Sequence, residues 1–216
     1  REMLRAAGEL AARHELPIQT HISENPHEIQ ATLEAFPEAS GYLDVYDRAG
    51  LVGARSLFAH GVWLESREWD ELARAQCAIA HCPDSNFFLG SGVMPLSEAL
   101  TRQIRVGLGT DIGAGRSFSV RRCCSRAYDA SRLSDTPTDA AELLWLATRG
   151  GALAMGRGDQ VGLLAPGLQA DLIAVRPPRP PEGSVEELCE QLVFREDWNG
   201  LEEVRDRIVR PEPRRL

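Results

Sequence analysis

The sequence predicts an α/β fold made of parallel β/α units, and three observations support this prediction. Four short apolar runs alternate with helical segments, an order typical of a parallel sheet. Each run ends at, or just before, a polar side chain that could do chemistry. In a barrel of parallel strands, such side chains converge on one site at the C-terminal face. The composition then changes near residue 160, which predicts a smaller separate segment.

Local signals define the elements of the first segment in order. Helix-spaced apolar residues predict a helix over 1–15, and Pro17 bars its continuation into the strand at 17–22. Asn25 is a good N-cap, Pro26 fits the first helical position, and Glu28 has capping-box spacing. Strands are also expected at 55–59, 76–80 and 104–108, a loop at 84–92, and helices at 26–36, 41–49, 66–75, 95–102, 119–132 and 138–149. Ser66 and Thr138 are the expected caps of two of these helices, and Gly150-Gly151 is expected to break the last one before a short helix at 152–156.

The C-terminal segment has a different character. Short strands are predicted at 161–167 and 169–175, followed by a stiff proline-rich linker at 176–181. A helix at 185–192 and a strand-like pair at 208–209 complete it. We therefore divide the chain into a β/α segment at 1–159 and a small β-rich segment at 160–216.

Composition limits the classes of partner. The chain has 216 residues and a formal charge of −8, which argues against nucleic acid or an anionic membrane as the main partner. No apolar run approaches a membrane span, no signal peptide opens the sequence, and the five cysteines fit free thiols in a reducing cytoplasm. Arg1 stands inside a helical pattern that has no cap, so we expect a piece of a longer polypeptide.

The polar residues at the strand ends are those of a metal-dependent hydrolase. His21, His60 and Asp111 follow three different strands, and imidazole with carboxylate suits zinc better than calcium or magnesium. Glu24 stands at the turn after the first strand and would be left for proton transfer.

Each of these residues also has an ordinary structural interpretation. His21 could be a buried histidine, Asp111 a turn residue or helix cap, and Glu24 an acid that complements a helix dipole. His81 could orient water or substrate, or could serve as a hydrogen-bond partner behind the site. His14 and His27 are interpreted as solvated helix residues.

Five stretches of sequence carry a resemblance to a known family. They are THISENPHEI (20–29), YLDVYDRAGLVGARSLFAHG (42–61), AIAHCPDSNFFLGSG (78–92), VGLGTDIGAGRSFS (106–119) and VGLLAPGLQADLIAV (161–175). At these residues the chain resembles the amidohydrolase superfamily and, within it, the guanine deaminases.

This resemblance implies a fold and a set of roles. The fold would be a partial (β/α)8 barrel, about strands five to eight with their helices, plus a small C-terminal β-sandwich segment. His21 and Asp111 would match zinc ligands, Glu24 the proton shuttle, and Asp111 a second acid. His60 would lie beside the water and the substrate, and the substrate contacts would be Glu24, His60, His81 and Asp111. One Zn²⁺ is implied per site, but relatives take two more ligands from a His-x-His motif that this sequence lacks.

The implied activity is the hydrolysis of guanine to xanthine and ammonia by a zinc-activated water. The complete protein would be a cytoplasmic homodimer acting on a small purine, and the present chain alone would have little activity. Two alternatives stay open: another aminohydrolase of the superfamily acting on a different purine or a triazine ring, or a catalytically inactive fragment. Arg116, where relatives often have a small polar residue, departs from the pattern.

Overall fold

A single parallel sheet organises the structure, a computed structural model that describes residues 1–134, 136–173 and 182–195. Its strands lie side by side in chain order, each hydrogen-bonded in parallel to the next. They are β1 (Ile18–Ile22), β2 (Ser56–His60), β3 (Ala78–His81) and β4 (Arg105–Leu108). The predicted parallel β/α order is therefore confirmed.

Helices connect and cover these strands. They are α1 (Glu2–Arg13), α2 (Pro26–Ala35), α3 (Tyr42–Asp47), α4 (Ser66–Arg74), α5 (Pro83–Phe88), α6 (Leu96–Thr101), α7 (Val120–Leu133), α8 (Ala140–Trp145), α9 (Gly151–Ala154) and α10 (Val185–Phe194). A π-helical turn, Leu146–Gly150, joins α8 to α9.

The core lies between the sheet and its helices. Phe58 of β2 and Ile79 of β3 are completely buried, as is Leu72 of α4. Parallel strands covered on their faces by helices are expected to be apolar throughout, and the runs at β2 and β3 are. The same apolar runs deliver polar residues only at their ends, which is where the candidate site lies.

One predicted loop is a helix. Residues 83–88 form α5, in which Pro83 occupies the first turn and the backbone N–H of Asn86 donates to the carbonyl of Cys82. Proline supplies the fixed φ of a first helical turn, a signal that the polar sequence after it obscured. Asp84, Ser85 and Asn86 are buried as a result, whereas Phe88 is exposed, as expected.

The predicted break at Gly150-Gly151 is wrong. Both glycines have helical φ and ψ, and the chain continues through them into α9. A Cβ on Gly150 would lie 2.6 Å from the carbonyl oxygen of Val106, and one on Gly107 would lie 2.8 Å from Cα of Gly151. These glycines allow helix and strand to approach closely, which is a packing role and not a helix stop.

Two predicted caps lie one residue away from the observed ones. Glu65 precedes α4 in place of Ser66, and its backbone N–H donates to the carboxylate of Glu68. Asp139 caps α8 in place of Thr138 and accepts from the backbone N–H of Glu142. At the third predicted cap, Asn25, the side chain accepts as expected.

The C-terminal segment is described only in part. Residues 161–173 contain turns and no strand, so neither predicted strand is found there. The linker at 176–181 and the pair at 208–209 lie outside the described residues. The helix predicted at 185–192 is confirmed as α10, where Phe194 packs edge-on against Tyr128 of α7, with ring centroids 4.7 Å apart. The division at residue 160 stays a prediction.

No helix in the described parts of the chain combines the length and apolarity that crossing a membrane requires.

We predict that Gly107→Ala lowers the free energy of unfolding by about 1–3 kcal/mol, because the new methyl group overlaps the backbone of Gly151. Urea unfolding followed by circular dichroism measures the change. Gly53→Ala is the matched control: its Cβ would meet no atom within 4 Å, so we expect a change below about 0.5 kcal/mol. Equal effects of the two substitutions would contradict the close approach of β4 and α9.

Candidate active site

The residues predicted to act together all lie at one edge of the sheet. His60 and His81 are the last residues of β2 and β3, and His21 is the penultimate residue of β1. Asp111 follows β4 by three residues. Because the strands are parallel and paired in register, with Ile22 opposite His60 and His81 opposite Leu108, these ends lie side by side.

His60 stands at the centre of the group. Its Nε2 lies 3.8 Å from Oε2 of Glu24 and 3.9 Å from Oδ2 of Asp111. The residue is only 3% exposed, so the two carboxylates meet its imidazole in a partly desolvated setting. A histidine held between two acids can carry or share a proton and can stabilise negative charge on a reacting oxygen.

Asn86 fixes the orientation of the His60 ring. Its Oδ1 lies 2.9 Å from Nδ1 of His60, and an amide oxygen only accepts, so Nδ1 carries the proton. The other ring nitrogen is then the one that faces Glu24 and Asp111. Asn86 lies in the AIAHCPDSNFFLGSG stretch, but its contact with His60 spans 26 residues and has no local signal in the sequence.

Ser91 holds the carboxylate of Glu24 from the opposite side. Its Oγ donates to Oε1 of Glu24 at 2.8 Å, which leaves Oε2 toward His60. The carbonyl of Ser91 accepts from the indole N–H of Trp63 at 2.7 Å. Ser91 lies in the NFFLGSG stretch that carried the resemblance, but its contact with Glu24 spans 67 residues and has no local signal.

His21 is more exposed than His60 and is paired with Glu28. The Nδ1 atom of His21 lies 3.3 Å from Oε1 of Glu28, and the side chain is 63% exposed. The hydrogen bond that His21 donates to Glu28 raises the pKa of His21. Burial raises the pKa of Glu28, but hydrogen bonds from His21 and Tyr42 outweigh burial and lower this pKa to about 2. The ring centroids of His21 and His60 are 6.3 Å apart, so His21 belongs to the same group.

A salt bridge anchors the loop that carries Asp111. Arg116, five residues further on, donates its backbone N–H to Oδ2 of Asp84 at 2.7 Å and its guanidinium to Oδ1 at 2.5 Å. The guanidinium also lies over the Phe88 ring, 5.5 Å from its centroid. Arg116 thus ties the loop to α5, and the departure from the family pattern noted in the sequence forms a structural contact with Asp84.

His81 lies in the interior beside this group. It is 1% exposed, and neither ring nitrogen has a hydrogen-bond partner within the described ranges. Burial, and to a smaller extent the nearby His60, lowers the pKa of His81 to about 4, so His81 is neutral at pH 7. Its contribution to substrate binding stays a prediction.

The two predicted metal ligands, His21 and Asp111, do not form a complete metal site among the described residues. No cluster of three or more His, Cys, Asp or Glu side chains that could hold an ion is found in ranges 1–134, 136–173 and 182–195. His21 and Asp111, the two predicted ligands, offer one imidazole and one carboxylate, a donor set that suits zinc. His21 also has a carboxylate partner on its other ring nitrogen, as metal-bound histidines commonly do.

Comparison with known proteins places the chain in a family. Residues 1–206 match the family described as "Amidohydrolase family". The chain belongs to the amidohydrolase family. As an amidohydrolase it is 42% identical over 164 residues to the guanine deaminase of Escherichia coli (strain K12), an alignment that covers 76% of this chain and 37% of the relative.

Solved structures of amidohydrolase relatives agree with the fold. The structure titled E. coli guanine deaminase superposes with a TM-score of 0.85 at 36% identity, covering 89% of this chain and 48% of that one. A guanine deaminase from C. acetobutylicum with guanine bound in its active site has a TM-score of 0.84 at 30% identity, covering 92% and 49%. An adenosine deaminase from Xanthomonas campestris with bound zinc has a TM-score of 0.78 at 27% identity, covering 88% and 44%. The chain therefore spans less than half the length of these relatives.

We predict that Arg116→Gln raises the pKa of the Asp84 carboxyl toward or above its ordinary 3.8, because Arg116 is the main cause that lowers it while burial acts in the opposite direction. Carbon-detected NMR of the aspartate side chains measures the titration. Arg126→Gln is the control: its Nε lies 3.7 Å from Oδ1 of Asp84, so we expect a smaller rise. A larger effect of Arg126→Gln would show that Arg116 does not hold this carboxylate.

Proposed function

We propose that the complete protein hydrolyses guanine to xanthine and ammonia. The observation that carries this proposal is the approach of Glu24 and Asp111 to one nitrogen of His60, at 3.8 and 3.9 Å, at the C-terminal edge of a parallel sheet. Two acids and an imidazole around one point supply the proton transfers that hydrolytic deamination needs. The likeness to guanine deaminases, one of them with guanine bound, supports the choice of ring.

The metal fits the donor set that this chain provides. His21 and Asp111 would hold a zinc ion, with the remaining ligands supplied by residues outside this chain. When bound, zinc would supply the Lewis acidity that makes water a nucleophile near neutral pH. The likeness to a zinc-bound adenosine deaminase supports this choice of metal.

Glu24 would move the protons of the reaction. Its Oε2 faces the centre of the group while Ser91 holds Oε1, so one oxygen is free to accept a proton from the attacking water. The water oxygen bonds to C2 of guanine, and Glu24 gives the proton to a ring nitrogen. Glu24 then passes the proton of the new C2 hydroxyl to the exocyclic amine, the C2–N bond breaks, and ammonia leaves as that hydroxyl oxygen becomes the C2 carbonyl of xanthine. Asp111 is the second acid that helps to deprotonate the water.

His60 would stabilise the tetrahedral centre that forms at C2. Asn86 accepts from its Nδ1, so a protonated His60 can direct an Nε2–H toward the developing oxyanion. Removal of one donor from the oxyanion hole of a serine protease costs about 100- to 1000-fold in turnover, which sets the scale expected here. His81 lies behind His60 and would keep this side of the site free of bulk water.

The proposal extends to the architecture of the complete protein. Residues 1–159 would form strands five to eight of a (β/α)8 barrel with their helices, and 160–216 would contribute to a small β-sandwich. One Zn²⁺ per site, a homodimer and a cytoplasmic location complete the proposal and stay predictions. An aminohydrolase acting on an adenine-type or triazine ring is the alternative. The likeness to a zinc-bound adenosine deaminase supports the adenine-type ring.

The substrate prediction is tested on the protein expressed from its complete reading frame. We expect release of ammonia and formation of xanthine from guanine at a kcat/KM at least about 100-fold above that for adenine, adenosine, cytosine or melamine. Liquid chromatography and a coupled ammonia assay measure both products. A preference for any other ring would replace guanine in the proposal, and no turnover of any ring by zinc-loaded protein would overturn it.

We predict that Glu24→Gln lowers turnover of guanine about 100- to 10,000-fold and leaves the zinc content unchanged, because the amide cannot accept the water proton and Glu24 is not a proposed ligand. Steady-state kinetics and atomic absorption measure the two quantities. Glu34→Gln is the control, since Glu34 is exposed on α2 and, among the described residues, its side chain is hydrogen-bonded to Gln30 of the same helix and to no residue of the candidate site. Near-normal turnover by the Glu24 variant would remove Glu24 from the mechanism.

A further inference from the structure

Three donors converge on one carboxylate behind His21. Oε1 of Glu28 accepts from Oη of Tyr42 at 2.7 Å and lies 3.3 Å from Nδ1 of His21. Oε2 of Glu28 accepts from the backbone N–H of Glu24 at 2.8 Å. The Glu28 side chain is 19% exposed, so these contacts replace most of its water.

Through these contacts Glu28 touches both His21, a proposed zinc ligand, and the backbone of Glu24, the proposed proton shuttle. The side chain of His21 is 63% exposed. Its pair with Glu28 is the one ion pair that it makes in the described part of the chain. A carboxylate accepts only, so the pairing places the proton of a neutral His21 on Nδ1. Nε2 is then left with its lone pair, which is the form that binds a metal.

Tyrosines hold this arrangement in place from behind. Tyr42 is 6% exposed and stacks on Tyr46 at 5.5 Å between ring centroids. Tyr46 in turn donates its hydroxyl to the carbonyl oxygen of His21 at 3.1 Å. Tyr46 therefore holds the backbone of His21 directly. Tyr42, on the same helix α3, holds the side chain of His21 through Glu28.

We propose that Glu28 is a positioning residue that selects the Nδ1–H tautomer of His21, aims its Nε2 into the site and fixes the backbone of Glu24. The inference deepens the proposed function and rests on His21 being a zinc ligand there. Its alternative is that Glu28 serves only α2, as an acid in the first helical turn.

The chain offers a variant that separates the two interpretations. Asn25 caps the same helix by accepting from the backbone N–H of Glu28 at 2.9 Å, and no hydrogen bond or ion pair joins its side chain to His21 in the described residues. Asn25→Ala should destabilise α2 by about 0.5–2 kcal/mol, as loss of an N-cap does. It leaves the carboxylate of Glu28 in place, so it controls for helix stability.

The first measurement is the affinity of the complete metal-free protein for Zn²⁺, by competition with a chromophoric chelator. We expect Glu28→Met to weaken binding about 10- to 100-fold, because loss of an outer hydrogen-bond partner of a metal-bound histidine has effects of this size. Tyr42→Phe should weaken it less, and Asn25→Ala should stay within about threefold of the parent. Equal affinity of the Glu28 variant and the parent would overturn the proposal.

The second measurement needs no metal. Nitrogen-15 NMR of the metal-free protein at about pH 9, where imidazole is neutral, reports which ring nitrogen of His21 carries the proton. We expect Nδ1–H in the parent and in Asn25→Ala, and a mixture of tautomers in Glu28→Met. Glu28→Gln, which retains one acceptor, is the second variant should Glu28→Met fail to fold, and it should show an intermediate mixture.

The two measurements distinguish failure of this inference from failure of the proposed function. If the parent binds Zn²⁺ and deaminates guanine but its His21 tautomer is the same with and without Glu28, the positioning role is wrong and the function stands. If the parent neither binds Zn²⁺ nor deaminates guanine, the proposed function fails, and a role for Glu28 at a metal site fails with it. A tautomer shift in that case would leave Glu28 as a partner of His21 only.

Discussion

The parallel register of the four strands is the constraint on which the candidate site depends. Pairing of Ile22 with His60 and of His81 with Leu108 sets the ends of β1 to β4 level with one another. One residue along a strand is roughly 3.3 Å, and a slip of one residue also turns a side chain to the opposite face. The contacts of His60 with Glu24 and Asp111, at 3.8 and 3.9 Å, would not survive either change. The apolar core behind the strands maintains this register, and the geometry of the candidate site depends on the register.

Non-glycine residues with positive φ lie on both sides of the strands: Glu15, Gln76 and Gln103 precede strands, and three others stand where strands end. Ser23, His60 and Asp111 have φ values of 47°, 72° and 47°, in the left-handed region that non-glycine residues seldom occupy. Such conformations cost about 1–3 kcal/mol each and persist where surrounding contacts enforce them. Here the carbonyl of Ser23 accepts from Trp63, and the carbonyl of Asp111 accepts from Gly115 at 2.6 Å. The turns bend the chain so that each functional side chain leaves its strand and points to a common centre.

The sequence predicted the strands and the candidate site residues, but not the residues that contact those side chains. Alternation of apolar runs with capped helices predicted β1 to β4, and polar residues at their ends predicted His21, Glu24, His60 and Asp111. Asn86, Ser91 and Glu28 were missed as site residues because their contacts depend on side-chain direction across the fold. Glu28 illustrates the difficulty. Its spacing from Asn25 predicts a local helix-capping role, whereas in the structure its carboxylate contacts Glu24, Tyr42 and His21. The break predicted at Gly150-Gly151 is wrong for a similar reason. The sequence does not distinguish a glycine that ends a helix from a glycine that lets a neighbouring strand pack closely against the helix.

The sheet leaves one side of its first and last strands without a strand partner in the described part of the chain, because its order runs only from β1 to β4. The unpaired N–H and C=O groups along these two edge strands can form β-sheet hydrogen bonds with an extended segment of another chain. A polypeptide of these 216 residues produced by itself would therefore tend to gather into oligomers or inclusion bodies.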